Sequence, residues 1–424
     1  MVHARGKDAH GLAVERMKQL FFEGLATLGE RKRVLLLPPD ITRLHGMGGT
    51  LAVWAVEYYR DAVKAILPAL GTHVPMTADE LDIMFPGVDH RLFVGHDWRN
   101  DVVTLGTVPA SFVEQVSEGR LSYSWDAQVN RLLVEGSFDL ILSLGQVVPH
   151  EVIGMANHTK NIFVGTGGAE GINKSHYLGA VHGMERIMGR ADSPVRAILD
   201  YAFTHFAQDL PIVFALTVVG RDANGAMVPM GLFMGDDREC FDEACELSLQ
   251  VNFTMVEQPL RKVVVYLDPG EYRTTWLGNK SIYRTRMAIA DGGELIVLAP
   301  GVHTFGEDKE IDRLIRKYGY RGTETVLSAV EQHDELKHNL SAAAHLIHGS
   351  SEGRFTIRYC PGRMSRQEVE SVGYLYGDLK QMTERYMGEK PAERWNTTAD
   401  GERYYFISNP AVGLWAHADR FKDA

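Results

Sequence analysis

The stretch "FDLILSLGQVVPHEVIGMANHTKNIFVGTGGAEGINKSH" (Phe138–His176) joins a hydrophobic run to a polar segment rich in histidine, lysine and glycine. Its first part, residues 138–149, is almost continuously apolar, which is typical of a strand buried on both faces of a parallel sheet. Ligands bind beyond the carboxyl ends of such strands. The polar segment therefore lies where chemistry is expected, and it contains His150, Lys160 and His176.

The residues of this segment alone leave three interpretations open. The histidines suit a metal site, although Glu151 is not followed by the second histidine of a zinc protease motif. The glycine cluster at 165–171 suits a phosphate cradle, because bare backbone amides approach a phosphate closely, although it matches neither Walker A nor GxGxxG. The third interpretation is a glycine-rich turn that happens to hold histidines. The run "NIFVG" (161–165) predicts a strand, so His158 and Lys160 are expected to face one side of an extended segment.

Similar apolar runs recur along the chain and alternate with helical patterns. Helices are predicted at 11–29, 50–66 and 192–207 and, towards the C-terminus, at 307–317, 323–332 and 335–348. Strands are predicted at 33–39, 91–95, 102–106, 138–145, 161–165, 212–220, 262–268, 293–301 and 354–360. The alternation predicts an α/β protein of two domains, 1–258 and 259–424, with mostly parallel sheets and the active site in the cleft between them.

Composition limits the partners and the compartment. The 424 residues include 44 Lys and Arg against 55 Asp and Glu, and this net charge of −11 disfavours nucleic acid as a partner. No apolar run reaches the roughly 18 residues that cross a bilayer, and the polar N-terminus lacks the core of a signal peptide. Three cysteines without a CxxC pair favour a reducing compartment, so we expect a cytoplasmic protein without a membrane association.

Other polar groups that follow predicted strands, or lie on a late helix, each have a functional and a structural interpretation. They are Asp40, Thr42 and Arg43; His73; His96 and Asp97; and His338, His345 and His348. The first group suits a phosphate site or a polar turn with a local salt bridge. His73 either faces the crevice or caps the helix that follows it. The pair His96 and Asp97 either orients a substrate hydroxyl or makes structural hydrogen bonds. The three late histidines, at 338, 345 and 348, either line the cleft or are structural.

The combination of these groups resembles the nickel-pincer-nucleotide lactate racemase family. In that family a histidine after proline is followed ten residues later by a lysine and sixteen residues further on by a histidine. Pro149, His150, Lys160 and His176 match this spacing. The family also has an Asp-x-Thr-Arg at the end of its first strand and a Gly-Thr-His further on. The matching residues are Asp40, Thr42 and Arg43, and Gly71, Thr72 and His73. The resemblance is strongest over residues 34–180.

The resemblance implies a function for each matching group. Lys160 would carry a nickel-pincer nucleotide through a thioamide bond, and His176 would ligate its nickel. The phosphate of the nucleotide would be held by Asp40, Thr42 and Arg43. The acid–base pair would be His73 and His150. The N-terminal domain would then bind the cofactor and catalyse, while the C-terminal domain would close the substrate cleft. The partners would be a 2-hydroxy acid and the enzymes that build the cofactor.

Departures from the family pattern are expected to lie around the substrate. The family's Tyr-Gln-x-x-Lys element is similar to "YRTRM" here, with Arg284 for the glutamine and Met287 for the lysine. Val74 follows His73 where arginine is usual in the family. Arg284 or Arg286 is the candidate for binding the substrate carboxylate. This pattern suggests the family's chemistry on a different 2-hydroxy acid.

The leading hypothesis is therefore a racemase or C2-epimerase of a sugar acid, such as gluconate or mannonate. A racemase of lactate or another short 2-hydroxy acid is the alternative within the same class. A nicotinamide-dependent dehydrogenase is disfavoured, because no GxGxxG follows a predicted strand. A non-catalytic sugar-acid-binding protein on the same scaffold is the alternative of another class. The intact trio of His150, Lys160 and His176 argues against it.

Overall fold

The computed structural model describes residues 2–5, 11–222, 226–388 and 390–422, which fold into two compact units. Unit 1 comprises the described residues up to Leu178 together with Ile187–Asn252, and unit 2 comprises Gly179–Arg186 and the described residues from Phe253 onwards. The structural division after Asn252 precedes the boundary at 258 that was drawn from the sequence. The segment 179–186, which that boundary assigned to the N-terminal domain, belongs to unit 2.

Unit 1 is built around a mostly parallel sheet. Its strands are β1 (Val2–Arg5), β2 (Val34–Leu37), β3 (Val63–Ile66), β4 (Val102–Val108), β5 (Trp125–Asn130), β6 (Leu140–Gln146), β7 (Pro149–His150), β8 (Gly154–Met155), β9 (Ile212–Arg221) and β10 (Met227–Gly235). The sheet has the order β1-β10-β9-β6-β2-β3, in which β9, β6, β2 and β3 run parallel. β10 and β1 add antiparallel pairs at one edge, and β4 with β5 forms a separate antiparallel ribbon.

Burial on both faces explains why β2 is continuously apolar and β6 mostly so. Alternate residues of β2 join different cores: Leu35 and Leu37 pack in one hydrophobic cluster, and Val34 and Leu36 pack in the other. This is the period-two alternation of a strand covered on both faces. Because parallel strands end at the same edge, the segments after β2, β3 and β6 begin close together.

Helices cover the sheet of unit 1 and carry part of the site. They are α1 (Val14–Thr27), α2 (Gly48–Tyr59), α3 (Ala78–Met84), α4 (Ala110–Val116), α5 (Leu132–Glu135), α6 (Ala169–His182), α7 (Met184–Ile187), α8 (Pro194–Ala202) and α9 (Glu239–Asn252). The division between the units falls within α6 and α7. α8 begins as the sequence predicts, with Ser193 as the N-cap and a proline in the first turn.

The predicted helix at 50–66 is wrong in its second half. α2 ends at Tyr59, and Arg60 adopts a positive φ of 49° that no helix continues through. The chain then forms β3, which pairs in parallel with β2. The run "VKAI" alternates buried and exposed positions at its start, as a strand does, but an apolar pattern this short also fits the end of a helix.

The predicted strands at 91–95 and 161–165 are also wrong. Residues 90–92 form a 3-10 turn, after which Phe93 makes a single bridge to Ile66 of β3. Residues 161–165 form a π-helical turn that continues a helical turn begun at Thr159. A short buried helix and a short buried strand share the same apolar composition, so periodicity does not separate them.

Unit 2 contains a second α/β arrangement, which confirms the predicted fold class. Its strands are β11 (Phe253–Val256), β12 (Leu260–Tyr266), β13 (Ile289–Ala299), β14 (Thr356–Pro361), β15 (Leu375–Tyr376), β16 (Arg394–Thr397), β17 (Arg403–Ile407) and β18 (Leu414–His417). The sheet order is β15-β14-β13-β12-β17-β16, parallel except for β16, while β11 pairs in parallel with β18.

The helices of unit 2 follow the predicted pattern at 307–348, where two of the three predicted segments are single helices. They are α10 (Thr275–Gly278), α11 (Lys280–Tyr283), α12 (Lys309–Tyr318), α13 (Thr323–Gln332), α14 (Asp334–Lys337), α15 (Leu340–His348), α16 (Arg366–Ser371), α17 (Leu379–Met387) and α18 (Ala418–Lys422). The third predicted segment, 335–348, is divided between α14 and α15. Across the described ranges of both units, no helix combines the length and the apolar character that a membrane crossing requires.

Candidate active site

A buried carboxylate and a histidine form a pair at the end of β2. Asp40 caps the 3-10 turn Ile41–Gly46, and its Oδ1 accepts hydrogen bonds from the backbone N–H (3.2 Å) and the hydroxyl (2.5 Å) of Thr42. Its Oδ2 lies 2.5 Å from Nδ1 of His73. Burial acts to raise the pKa of Asp40, but the hydrogen bond and charge of His73, with Thr42 and Arg43, lower it overall. Asp40 is therefore an acceptor, so Nδ1 of His73 carries a proton and Nε2 is its basic atom.

The loop after β3 brings His73 to this position. Gly71 has a positive φ of 58°, and its N–H donates to the carbonyl of Gly165 at 2.8 Å. The N–H of His73 donates to the carbonyl of Leu70 at 3.0 Å. About half of the His73 side chain is exposed (53%), whereas Asp40 is buried. The carboxylate therefore fixes an imidazole whose outer edge faces solvent.

His150 is buried and takes the opposite tautomer. It belongs to β7, and its Nδ1 accepts a hydrogen bond from the backbone N–H of Val152 at 3.1 Å. Oε2 of Glu151 lies 3.8 Å from the same nitrogen. An Nδ1 that accepts an N–H places the proton of the neutral ring on Nε2. His73 thus presents a bare Nε2, and His150 presents an Nε2–H.

Lys160 lies in the helical turn that begins at Thr159 and is partly buried. Burial lowers the pKa of its ammonium to about 8, and the positive charge of Arg43 acts in the same direction. The charges of Glu151 and Asp40 oppose this shift without cancelling it. A lysine with a pKa of about 8 holds a substantial share of neutral amine near neutral pH, which is the nucleophilic form.

His176 on α6 completes the cluster. Its Nδ1 donates to the carbonyl of Ile172 at 2.7 Å, which leaves the lone pair on Nε2. Burial lowers the pKa of His176 in spite of that hydrogen bond, and the charges of Lys160 and His73 lower it further. Glu151 acts in the opposite direction. The charges of Lys160, His73 and Glu151 all act on His176, so these side chains lie in one region of unit 1, and a neutral imidazole there is suited to a metal ion.

The space beside the glycine cluster after Lys160 is occupied by other atoms of the protein. A Cβ at Gly167 would lie 1.9 Å from the carbonyl oxygen of Phe163, and one at Gly168 would lie 2.1 Å from Oε1 of Gln128. These glycines are required because other parts of unit 1 approach their backbone. This packing favours the glycine-rich turn over a phosphate cradle.

His96 and Asp97 make structural hydrogen bonds, which favours the structural interpretation of this pair. Nε2 of buried His96 donates to the carbonyl of Gly167 at 3.0 Å, and its Nδ1 lies 3.0 Å from the side-chain amide of Asn130. Asp97 accepts from the backbone N–H groups of the next turn, at residues 99 and 100. Both ring nitrogens of His96 are occupied, and the ring anchors the glycine turn to the β4–β5 ribbon.

The two candidate arginines of unit 2 are engaged within that unit. Arg284 is 2% exposed, and its Nη1 lies 3.4 Å from the carbonyl of Gly413. Nε of Arg286 donates to Glu185 at 3.0 Å, and the same carboxylate accepts from Arg354 at 2.9 Å. These contacts make Arg286 part of an ion-pair network that joins the strand β13 to residues 179–186.

The late histidines divide between buried and exposed positions. Nε2 of His345 lies 2.9 Å from the hydroxyl of Tyr320, and its ring stacks on Trp276 with centroids 4.3 Å apart. His348 is also buried, and His338 is exposed beyond the end of α14. The contacts of His345 favour its structural interpretation.

Several residues that shape the site were missed at the sequence level. Glu151 acts on both Lys160 and His176, and its position beside His150 was the only available signal. Asn161 donates to the carbonyl of Leu37 (3.1 Å) and to the hydroxyl of Ser143 (2.9 Å), which lie in β2 and β6. Among the described residues, no group of three or more His, Cys, Asp or Glu side chains is arranged to hold a metal ion.

The fold and the site together define an α/β protein with a lysine–histidine centre at the carboxyl edge of its N-terminal sheet. Residues 22–188, which contain this whole centre, match the family model of the lactate racemase N-terminal domain. The resemblance to the lactate racemase family is thereby confirmed, and this part of the chain is lactate racemase-like.

Two solved structures share the fold over nearly the whole chain. A protein from Thermotoga maritima is 24% identical with a TM-score of 0.77, and the match covers 96% of this chain and 100% of that one. The lactate racemase apoprotein from Thermoanaerobacterium thermosaccharolyticum is 16% identical with a TM-score of 0.69, covering 98% and 94%. At these identities the likeness concerns the fold. No curated protein matches the sequence.

Replacing Lys160 with methionine is expected to stabilise the protein at pH 7, because the folded state there holds a partly buried positive charge. The folded pKa of about 8 lies below the ordinary value of 10.5. The cost of the charge is therefore full below pH 8, shrinks as the pH rises to 10.5 and vanishes above it. We expect a gain of about 1–3 kcal/mol at pH 7 in the free energy of unfolding, measured in denaturant at several pH values.

Lys174→Met is the matched control, because Lys174 donates to Glu170 and to the carbonyl of Ser124. It should show no gain at pH 7. A gain in Lys160→Met that does not shrink between pH 8 and 10.5, or the absence of any gain, would contradict the assigned pKa.

Proposed function

We propose that the protein is a racemase or C2-epimerase of a 2-hydroxy acid that carries a nickel-pincer nucleotide on Lys160. The observation that carries the proposal is the placement of Lys160, His73 and His176 in one part of unit 1, where the charges of Lys160 and His73 act on His176. The lactate racemase-like N-terminal domain supports it, because this domain contains every residue of the cluster.

The residues present fit such a cofactor. Lys160 offers a partly neutral amine for covalent attachment, and His176 offers Nε2 to nickel, which accepts imidazole nitrogen readily. Arg43 brings a positive charge to the same edge of the sheet, which suits a phosphate. Asp40 is not needed for the phosphate, since its oxygens already serve His73 and Thr42. When bound, the cofactor supplies an acceptor for hydride.

The proton chemistry belongs to the two histidines. Removing the Cα proton of a 2-hydroxy acid would create a second negative charge beside the carboxylate, whereas a reaction that withdraws hydride needs only the hydroxyl proton to be moved. His73 presents a bare Nε2 as the base, and Asp40 stabilises the imidazolium that forms. His150 can return the proton only from its imidazolium form, in which Nδ1 is protonated and no longer accepts the N–H of Val152. Their roles exchange when the opposite isomer reacts.

Unit 2 contains a cavity beside Met287. Its volume is about 450 Å³, within the range of roughly 300–1,000 Å³ that is usual for small-molecule sites. It is lined by Glu185, Pro259, Met287, Ile289, Ala290, Asp291, His417, Asp419 and Arg420. Met287, which stands where the family has a substrate lysine, therefore lies beside several carboxylates. Carboxylate oxygens accept hydrogen bonds from hydroxyl groups, as the tail of a sugar acid requires.

Covalent attachment at Lys160 tests the proposal most directly. When the chain is produced together with the cofactor-building enzymes, intact-mass measurement should show an adduct that maps to the peptide containing residue 160. Lys160→Ala should remove both the adduct and the turnover while the protein stays folded. Lys174→Ala should keep both. A wild-type protein without an adduct would leave the non-catalytic binding protein as the better hypothesis.

The two histidines are expected to be the acid–base pair of the loaded enzyme. His73→Ala and His150→Ala should each lower the rate of racemisation or epimerisation by at least about 100-fold, the usual scale of acid–base catalysis. Adduct formation should persist in both variants, because neither residue attaches the cofactor. His205→Ala, an exposed histidine of unit 1 that stacks on Tyr201, should leave the rate unchanged. A variant of the pair that retains most of its activity contradicts the assignment.

A panel of 2-hydroxy acids identifies the substrate. We expect kcat/KM for a five- or six-carbon sugar acid to exceed that for lactate by up to about 10⁴-fold, because a site built to hydrogen-bond a polyhydroxylated acid leaves polar groups unpaired when the smaller acid binds. If lactate gives the highest kcat/KM, the sugar-acid proposal is wrong, and the cofactor assignment is unaffected.

A further inference from the structure

The segment that leads into Lys160 has an unusual backbone. Asn157 and His158 both adopt left-handed conformations, with φ of 69° and 56°, although neither is glycine. Such conformations cost free energy and persist only where surrounding contacts determine them. His158 is buried, its Nε2 donates to the carbonyl of Asp237 at 3.2 Å, and its ring stacks on Phe241. The chain therefore turns sharply, in a fixed manner, immediately before the lysine.

Arg196, a fully buried arginine on α8, hydrogen-bonds to this turn. Nη2 of Arg196 donates to the carbonyls of Met155 (2.7 Å) and Asn157 (3.1 Å). Its Nη1 donates to the hydroxyl of Thr159 at 2.7 Å. That hydroxyl in turn donates to Asp200 at 2.7 Å. One guanidinium thus joins three residues of the turn, and a charged donor makes such bonds stronger than neutral ones.

The two neighbours of Lys160 are each bound to different parts of unit 1. Thr159 is held by Arg196 and Asp200, whereas Asn161 is held by β2 and β6 through its side-chain amide. Successive residues of a helix point about 100° apart. Fixing the side chains on both sides of Lys160 therefore fixes the rotation of the turn about its axis, and with it the direction in which Lys160 leaves the backbone.

From this geometry we propose that Thr159, Arg196 and Asp200 form a clamp that aims the amine of Lys160 into the site. Arg196 and Thr159 are positioning residues, since they act through Lys160 and not on a substrate. The clamp extends the proposed function and rests on it, because the direction of the amine matters only if Lys160 carries the cofactor. It predicts that a lysine released from the clamp leaves the neighbourhood of Arg43 and becomes more exposed to water.

Thr159→Val tests the clamp, because it keeps the shape of the side chain and removes both hydrogen bonds. Two readouts are used: the fraction of chains with an adduct after coproduction with the cofactor-building enzymes, and the pH midpoint of Lys160 acetylation in the cofactor-free protein. We expect the loaded fraction to fall at least about tenfold and the midpoint to rise from about 8 towards 10.5. Lys380, whose side chain is 86% exposed, is the internal reference for acetylation.

Thr159→Ser keeps the hydroxyl and should restore both readouts to nearly the wild-type values. If Thr159→Val does not fold, Asp200→Asn replaces it, because Asp200 is partly exposed and the change weakens the same contact. The clamp is refuted if Thr159→Val loads and titrates like the wild type, or if Thr159→Ser is as impaired as Thr159→Val. A wild-type protein that never carries an adduct refutes the proposed function alone, since the acetylation midpoint still decides the clamp.

Discussion

The side-chain amide of Asn161 is the contact on which the geometry of the site depends. Its Nδ2 donates to the last backbone carbonyl of β2 and to the hydroxyl of Ser143 in the middle of β6, so it binds the lysine-bearing turn to two central parallel strands. Those strands also position Asp40 and His150, which follow them in the chain. A displacement of the turn would therefore move Lys160 relative to both. Because the amide is buried, leaving its donors unpaired would be costly, and the turn has one stable position.

The sequence was sufficient for the parts of the fold that depend on continuous apolar burial. β2 and β6 were predicted correctly because both are covered on both faces and the apolar run in each is long enough to stand out. The segment 161–165 was assigned to a strand for the same reason, although it is a buried helical turn. The left-handed conformations of Asn157 and His158 start this turn and distinguish it from a strand. Neither residue is a glycine, so composition gave no signal.

The site was predictable as a set of residues and not as a set of contacts. The spacing of His150, Lys160 and His176 predicts a lysine–histidine centre, but it gives no partner for Asp40. Expected to hold a phosphate, Asp40 instead hydrogen-bonds His73, 33 residues away. Arg196 reaches its acceptors across 37 to 41 residues. It occupies the apolar face of α8, and only a structure shows that backbone carbonyls surround its charge.

Two features next to the site lower the free energy of unfolding. The left-handed residues before Lys160 cost about 1–3 kcal/mol each, and the partly buried ammonium adds a cost that its lowered pKa reports. A protein that only bound a sugar acid would gain nothing from a lysine held in this state. An enzyme that must form a covalent bond at Lys160 gains a neutral amine at a fixed position before its cofactor arrives. The instability is therefore located at the residue on which the proposed chemistry depends.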